Sequence, residues 1–170
     1  VDQAGASAPV LVIGVIPMQA PAVIDAAISV ALALRARVVC AHVDTTRFVV
    51  DEHPDGSTTS RPVDSDAYDD GPSPFPYTLA EHLRDRFARA GVEWDRCELA
   101  GNPATALSHL AERESAMMIV VGTRRPGIRG AMAEFFDGSV AAHLAHQQHR
   151  PVLVVPQAPV RDGALPWEST

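Results

Sequence analysis

The chain has no lysine. Each of its 14 basic residues is arginine, set against 21 acids, and the formal net charge is −7. A surface of that sign repels phosphate backbones, so a general nucleic-acid binder is excluded and only a small local anion site remains open. Cysteine is scarce as well. Cys40 and Cys97 are the only two, and they form neither a disulfide framework nor a CxxC metal knuckle. Cys40 lies inside an apolar run and reads as a small buried hydrophobe. No uninterrupted apolar stretch reaches the length of about 18 residues that a membrane-spanning helix needs. The nearest stretch, 20–34, holds Asp25 and Ser29, runs into Arg35 and Arg37, and lacks a basic leading segment. Neither a membrane span nor a secretory leader is expected, and a reducing cytosol is the expected compartment.

What is present is enough for one domain. The 170 residues are 46% apolar and 21% charged, ordinary values for a globular chain that buries a core. Short runs rich in β-branched residues predict buried strands over 10–15 (VLVIGV), 38–43 (VVCAHV), 117–121 (MMIVV) and 152–155 (VLVV). A more polar, alternating segment over 92–99 predicts an edge strand. Helices are predicted from Pro21 to about residue 36, from Tyr77 to a stop at Gly91, over 104–114, and through Phe135, Phe136, Val140 and Leu144, with a break and fresh N-cap at Asp137-Gly138-Ser139. Strands alternating with helices imply an α/β fold: a three-layer sandwich around a five-stranded, mainly parallel sheet, Rossmann-like in its winding.

The segment 44–76 breaks this rhythm. Its 33 residues hold eight acids, two arginines and five prolines. With few core-forming side chains, it is expected to be a disordered acidic insertion in a domain spanning 10–156. Residues 1–9 read as an N-terminal extension and 157–170 as a loose C-terminal tail.

In parallel sheets of this kind ligands bind beyond the carboxyl ends of the strands, where strand order reverses. Two connectors follow the most apolar strands: 16–20 and 122–130. The second is the more informative. Gly122, Gly127, Gly130 and Gly138 let a backbone approach a ligand closely. Arg124, Arg125 and Arg129 add forks suited to phosphate. Ser139 caps the start of a helix whose free N–H groups favour an anion. The stretch is not a P-loop, because no GKS or GKT follows.

These residues also carry a resemblance. VLVIGV, the Ala41-His42-Val43 strand end, Gly101-Asn102-Pro103-Ala104 leading through a helix to MIVVGT, and Gly138-Ser139 followed by a helix and RPVLVVP together resemble the universal stress protein family over about 10–156. The resemblance implies an adenine-nucleotide site. In it Val43 meets the base through its backbone, and Gly122, Thr123, Gly138, Ser139 and Val140 surround the phosphates. It also implies a non-enzymatic stress-response homodimer paired through the last strand, Val152, Leu153, Val154 and Val155.

Departures from the family pattern stand beside it. Where nucleotide-binding members have an aspartate after the first strand, this chain has Ile16, followed by Pro17. The family's glycine spacing is broken: Arg125 stands three places after Gly122, where a glycine belongs, and Gly127 and Gly130 lie too close to Gly138. Two readings follow. In one the pocket is vestigial and the protein works through protein contacts. In the other ATP or another adenine nucleotide binds a phosphate loop rebuilt around Arg124 and Arg125.

Other candidates are weaker. His143, His146 and His149 advance by three along a helix, so the third turns away from the first and no metal site is expected. His42 reads as a hydrogen-bonded histidine at the core edge. Ser139 has no base partner in sequence, and no catalytic constellation appears.

Overall fold

The computed structural model describes residues 8–53, 57–69, 71–123 and 140–157. Within them the chain runs β1 (Val10–Gly14), α1 (Pro21–Leu34), β2 (Arg37–Asp44), β3 (Arg47–Glu52), β4 (Thr58–Pro62), α2 (Tyr77–Ala90), β5 (Trp94–Ala100), α3 (Pro103–Arg113), β6 (Met118–Gly122), α4 (Val140–Gln147) and β7 (Val152–Val155). Five strands form one parallel sheet in the order β5-β2-β1-β6-β7. The expected α/β sandwich is thus present. The polar strand β5 lies at one edge, and the apolar β2, β1 and β6 lie inside.

Alternation along the strands divides the core in two. Leu11, Ile13, Val38, Cys40 and Val120 face α1 and α2, where they meet Val23, Ile24, Ala27, Leu79, Leu83 and Phe87. Val10, Val12, Val39, Ala41, Ile119 and Val121 face α3 and α4, against Leu107, Leu110, Ala111 and Leu144. A strand buried on both faces must be apolar at every position, which is why β1 reads as a continuous hydrophobic run. Phe87 is fully buried and stacks on Trp94 of the edge strand with ring centroids 5.6 Å apart.

Local chemistry sets the helix ends. Pro21 and Pro103 open α1 and α3, where a missing N–H costs nothing. The Asn102 side chain accepts from Ala104 N at 3.0 Å and Thr105 N at 3.2 Å, capping α3. Helix α2 ends at Gly91, whose φ of 66° a side chain would resist. Arg86 of α2 pairs with Asp25 of α1. Arg37, at the start of β2, reaches Glu114 at 2.5 Å and Asp95 at 3.4 Å.

The 44–76 segment departs from the expected disordered loop. β3 and β4 pair antiparallel, with a bulge between Val49 and Asp51. Two strands alone are marginal in water, so this hairpin needs outside support. Arg47, 6% exposed, provides it: its Nε and Nη2 donate to the Ser60 hydroxyl and carbonyl at 2.9 and 2.7 Å, and Nη1 meets Asp69 at 2.8 Å. The hairpin also leans on the domain, with Val49 against Gly101 and Glu52 3.5 Å from His109 of α3. Polar bonds and one buried cation do what composition suggested apolar burial could not.

Candidate functional site

The strand order locates the site. From β1 the chain winds toward β2 and β5, and from β6 it winds toward β7. The reversal point lies between the carboxyl ends of β1 and β6. Four segments reach that rim in sheet order: the end of β2 with Val43, the exit of β1 with Ile16, the end of β6 with Gly122 and Thr123, and the exit of β7 with Gln157.

At the β1 exit, Ile16 is 42% exposed. Its backbone N–H donates to Gln19 Oε1 at 3.0 Å, and Gln19 is buried. The connector into α1 is therefore closed on itself, with one of its donors already used. Met18 projects into solvent, 82% exposed, from a left-handed backbone with φ 57°. An apolar side chain and a spent N–H stand where a ligand-holding carboxylate would be needed.

At the end of β2, Val43 is half-buried against the α3–α4 layer. Its neighbour His42 lies with Nδ1 3.2 Å from the Val15 carbonyl and its ring edge toward Phe75, centroids 6.0 Å apart. That is the hydrogen-bonded, core-edge place expected for it. Asp44 turns the chain into the hairpin, accepting from the Thr46 amide at 2.9 Å and hydroxyl at 2.6 Å. Burial alone would raise this carboxyl, but the bonds from Thr46 and Ser73, together with the Arg47 charge, hold it below its ordinary value.

At the end of β6, Thr123 and Gln157 are joined by several bonds. The Gln157 amide N–H donates to Thr123 Oγ1 at 2.9 Å, and Gln157 Nε2 donates to the Thr123 carbonyl at 2.6 Å. Thr123 N–H donates to Val155 O at 2.9 Å. The Gln157 side chain lies directly over Gly122. A Cβ placed there would collide with Nε2 and lie 2.9 Å from Cδ and 3.0 Å from Val23 Cγ2 of α1. The glycine thus does admit a close approach, but the group that approaches is the chain's own amide. Gln157 Oε1 is buried and accepts no hydrogen bond from the described residues.

Val140 opens α4 and packs, half-buried, on the α3–α4 layer. Val152, Leu153, Val154 and Val155 form β7, the outer strand on that side, with Val154 41% exposed. Arg124, Arg125, Gly127, Arg129, Gly130, Gly138 and Ser139 lie outside the described residues. The structure therefore brings Ile16, Gly122 and Thr123 to neighbouring strand ends, places Val43 one strand away, and sets β7 at the edge.

Sequence reasoning missed Gln19 and Gln157. Gln157 was assigned to a loose tail, yet it is fastened to Thr123. Its only signal in the sequence is its place two residues beyond a strand that pairs in parallel with the glycine-ended β6.

A second recess, of about 180 Å³, lies between the hairpin and α3. Val49, Glu52, Asn102, Thr105, His109 and Arg113 line it, and the Glu52–His109 contact joins its two sides.

Both cysteine thiols are raised above their ordinary value by burial. Cys40 lies wholly inside the core and Cys97 only partly. Neither is poised as a nucleophile. Among the described residues no helix is long and apolar enough to cross a membrane.

Comparison with known proteins agrees with this geometry. A universal stress protein in complex with cAMP superimposes with a TM-score of 0.57 at 22% identity, covering 90% of this chain and 100% of its own. A universal stress protein from Archaeoglobus fulgidus in complex with dAMP gives 0.53 at 17% identity, covering 86% and 97%. A family protein from Arabidopsis thaliana with AMP bound gives 0.50 at 12% identity, covering 95% and 98%. At these identities the superpositions speak for the fold. No curated protein matches the sequence. The model of the universal stress protein family, however, matches residues 10–156, nearly the whole chain. The chain belongs to the universal stress protein family.

Proposed function

We propose that this protein is a non-enzymatic universal stress protein that acts as a homodimer and has lost the family's adenine-nucleotide pocket. One observation carries the reading: the rim between β1 and β6 is occupied by the chain itself. Gln19 takes the Ile16 amide at 3.0 Å, and Gln157 covers Gly122 while bonding Thr123. Ile16, apolar and partly exposed, stands where the family resemblance places an aspartate near the base and ribose. An isoleucine cannot accept a ribose hydroxyl, and a polar ligand group pressed against it loses its water without compensation. The described half of the site does not fit an adenine nucleotide held in the family's manner.

Dimerisation through β7 is supported by its position. It is a short apolar strand at the sheet edge, and among the described residues one side of its ladder is unpaired, a natural template for a second copy.

The test is calorimetric titration of ATP, AMP and cAMP, each with and without Mg²⁺, into protein stripped of copurified nucleotide. The expected result is no saturable heat up to about 1 mM ligand, the weak limit of specific binding. Saturable micromolar binding that weakens in an Arg124→Ala/Arg125→Ala double variant would overturn the reading. It would establish instead an ATP-binding member with an arginine-built phosphate loop, a result the nucleotide complexes of the structural relatives would accommodate.

A further inference from the structure

We infer that Gln157 is a plug that decides whether the crevice at the end of β6 is open. The inference deepens the proposed function, because it rests on the rim between β1 and β6 being the family's ligand site.

Three observations combine. The first is spatial. The side chain occupies the space over Gly122 so closely that no Cβ could share it, and a Cβ there would also lie 3.0 Å from Val23 Cγ2 in the first turn of α1. It therefore fills the space over the end of β6 at the reversal point. The second is energetic. Gln157 bonds Thr123 through both backbone and side chain, at 2.9 and 2.6 Å. A ligand entering over Gly122 must first break the side-chain bond and expel the amide. The third is the orphan. Oε1 is buried with no hydrogen-bond donor against it among the described residues, and a buried acceptor left unpaired opposes its own burial. The plug is thus held by one side-chain bond and pushed outward by one missing bond. It is seated, but it can be displaced.

This arrangement also gives the glycine a role of its own. Gly122 is needed by the plug itself, since any larger residue would collide with it. A small residue at that place is therefore no sign by itself that a ligand binds there.

The test compares the full-length protein with two shortened variants, Gln157→Ala and Gln157→Ser, and one isosteric control, Gln157→Met. Met keeps the bulk of the side chain but loses its polar bonds. Each protein, stripped of nucleotide, is titrated with ATP in the presence of Mg²⁺. The expected result is that Ala and Ser bind ATP at least about tenfold more tightly than the parent, the equivalent of roughly one freed hydrogen-bonded obstruction, while Met, which gives up the bond but keeps the bulk, falls between the parent and the two shortened variants. Equal ATP affinity in the parent and both shortened variants overturns the plug. If that shared result is no binding, the plug alone falls and the lost-pocket reading stands. If it is tight binding by all, both fall. Tighter binding by Met than by Ala and Ser also overturns the plug, because bulk over Gly122 would then not be the barrier. Ser keeps a hydroxyl within the loop, so the comparison survives if Ala fails to fold.

Discussion

Arg47 Nη1 lies 2.8 Å from Asp69 Oδ1, joining the first strand of the hairpin to a residue 22 positions farther along the chain. The same guanidinium holds Ser60 on the partner strand. A buried cation with three oxygen partners replaces the hydrophobic face that β3 and β4 lack. Arg47→Met should therefore open the hairpin while leaving the sheet intact. The expected loss is about 1–3 kcal/mol of local stability. Hydrogen exchange checks it: protection falls in β3 and β4 and is unchanged in β1, β2 and β6. A uniform loss across the sheet would show that the hairpin is integral to the domain.

The same contact predicts a titration. The hydrogen bond from Arg47, followed by that from the Gly71 amide, holds the Asp69 carboxyl below its ordinary value of 3.8. A carboxyl depressed in the folded state contributes stability above its unfolded value and loses it as pH falls through the folded one. Carbon-detected NMR should place the Asp69 midpoint below 3.8, and Arg47→Met should return it toward that value. A midpoint unmoved by the substitution would assign the depression to the Gly71 bond.

Phe87 is sealed between α2 and the sheet and stacked on Trp94. Phe87→Ala leaves a cavity the backbone cannot close, and should cost about 3–5 kcal/mol. For a chain this size that lowers Tm by roughly 10 °C. A drop of only a degree or two in a thermal scan would mean that the α1–α2 layer collapses around the gap.

The β7 edge is tested by Leu153→Glu. Leu153 is half-buried on a strand with one side unpaired among the described residues. A carboxylate there is expected to turn a dimer into a monomer in light scattering, with the far-ultraviolet spectrum unchanged. A dimer that persists at micromolar concentration would place the interface elsewhere.

Burial keeps the Cys40 thiol protonated and out of reach. In the native protein a thiol reagent should label Cys97 slowly and Cys40 only after denaturant is added. Fast labelling of both would mean that the core opens readily.

Much of the architecture was legible because the sheet's central strands must be apolar on both faces. VLVIG and MIVVG could hardly sit elsewhere. WDRCELA announced an edge by its polarity. The rim residues Ile16 and Gly122 followed from that topology, since each sits where an inner strand ends. The hairpin did not follow. Its stability comes from Arg47 meeting Ser60 and Asp69, a pairing across 13 and 22 residues that no local pattern encodes. Gln157 was hidden for a similar reason. Its partner Thr123 is 34 residues away, and only the parallel pairing of β6 with β7 brings the two together.

The place of β1 at the middle of the sheet has a consequence for how the chain is made. β1 takes β2 as one neighbour within a few tens of residues, as Val10 faces Arg37. Its other neighbour is β6, where Leu11 faces Met118, 107 residues later. At synthesis rates of about 5–20 residues per second, this deeply buried strand waits on the order of 5–20 s with one flank uncovered. Until β6 emerges, the nascent β1–α1–β2 unit presents an apolar edge to the ribosome exit and to any chaperone there, so newly made chains are most prone to aggregate during that interval.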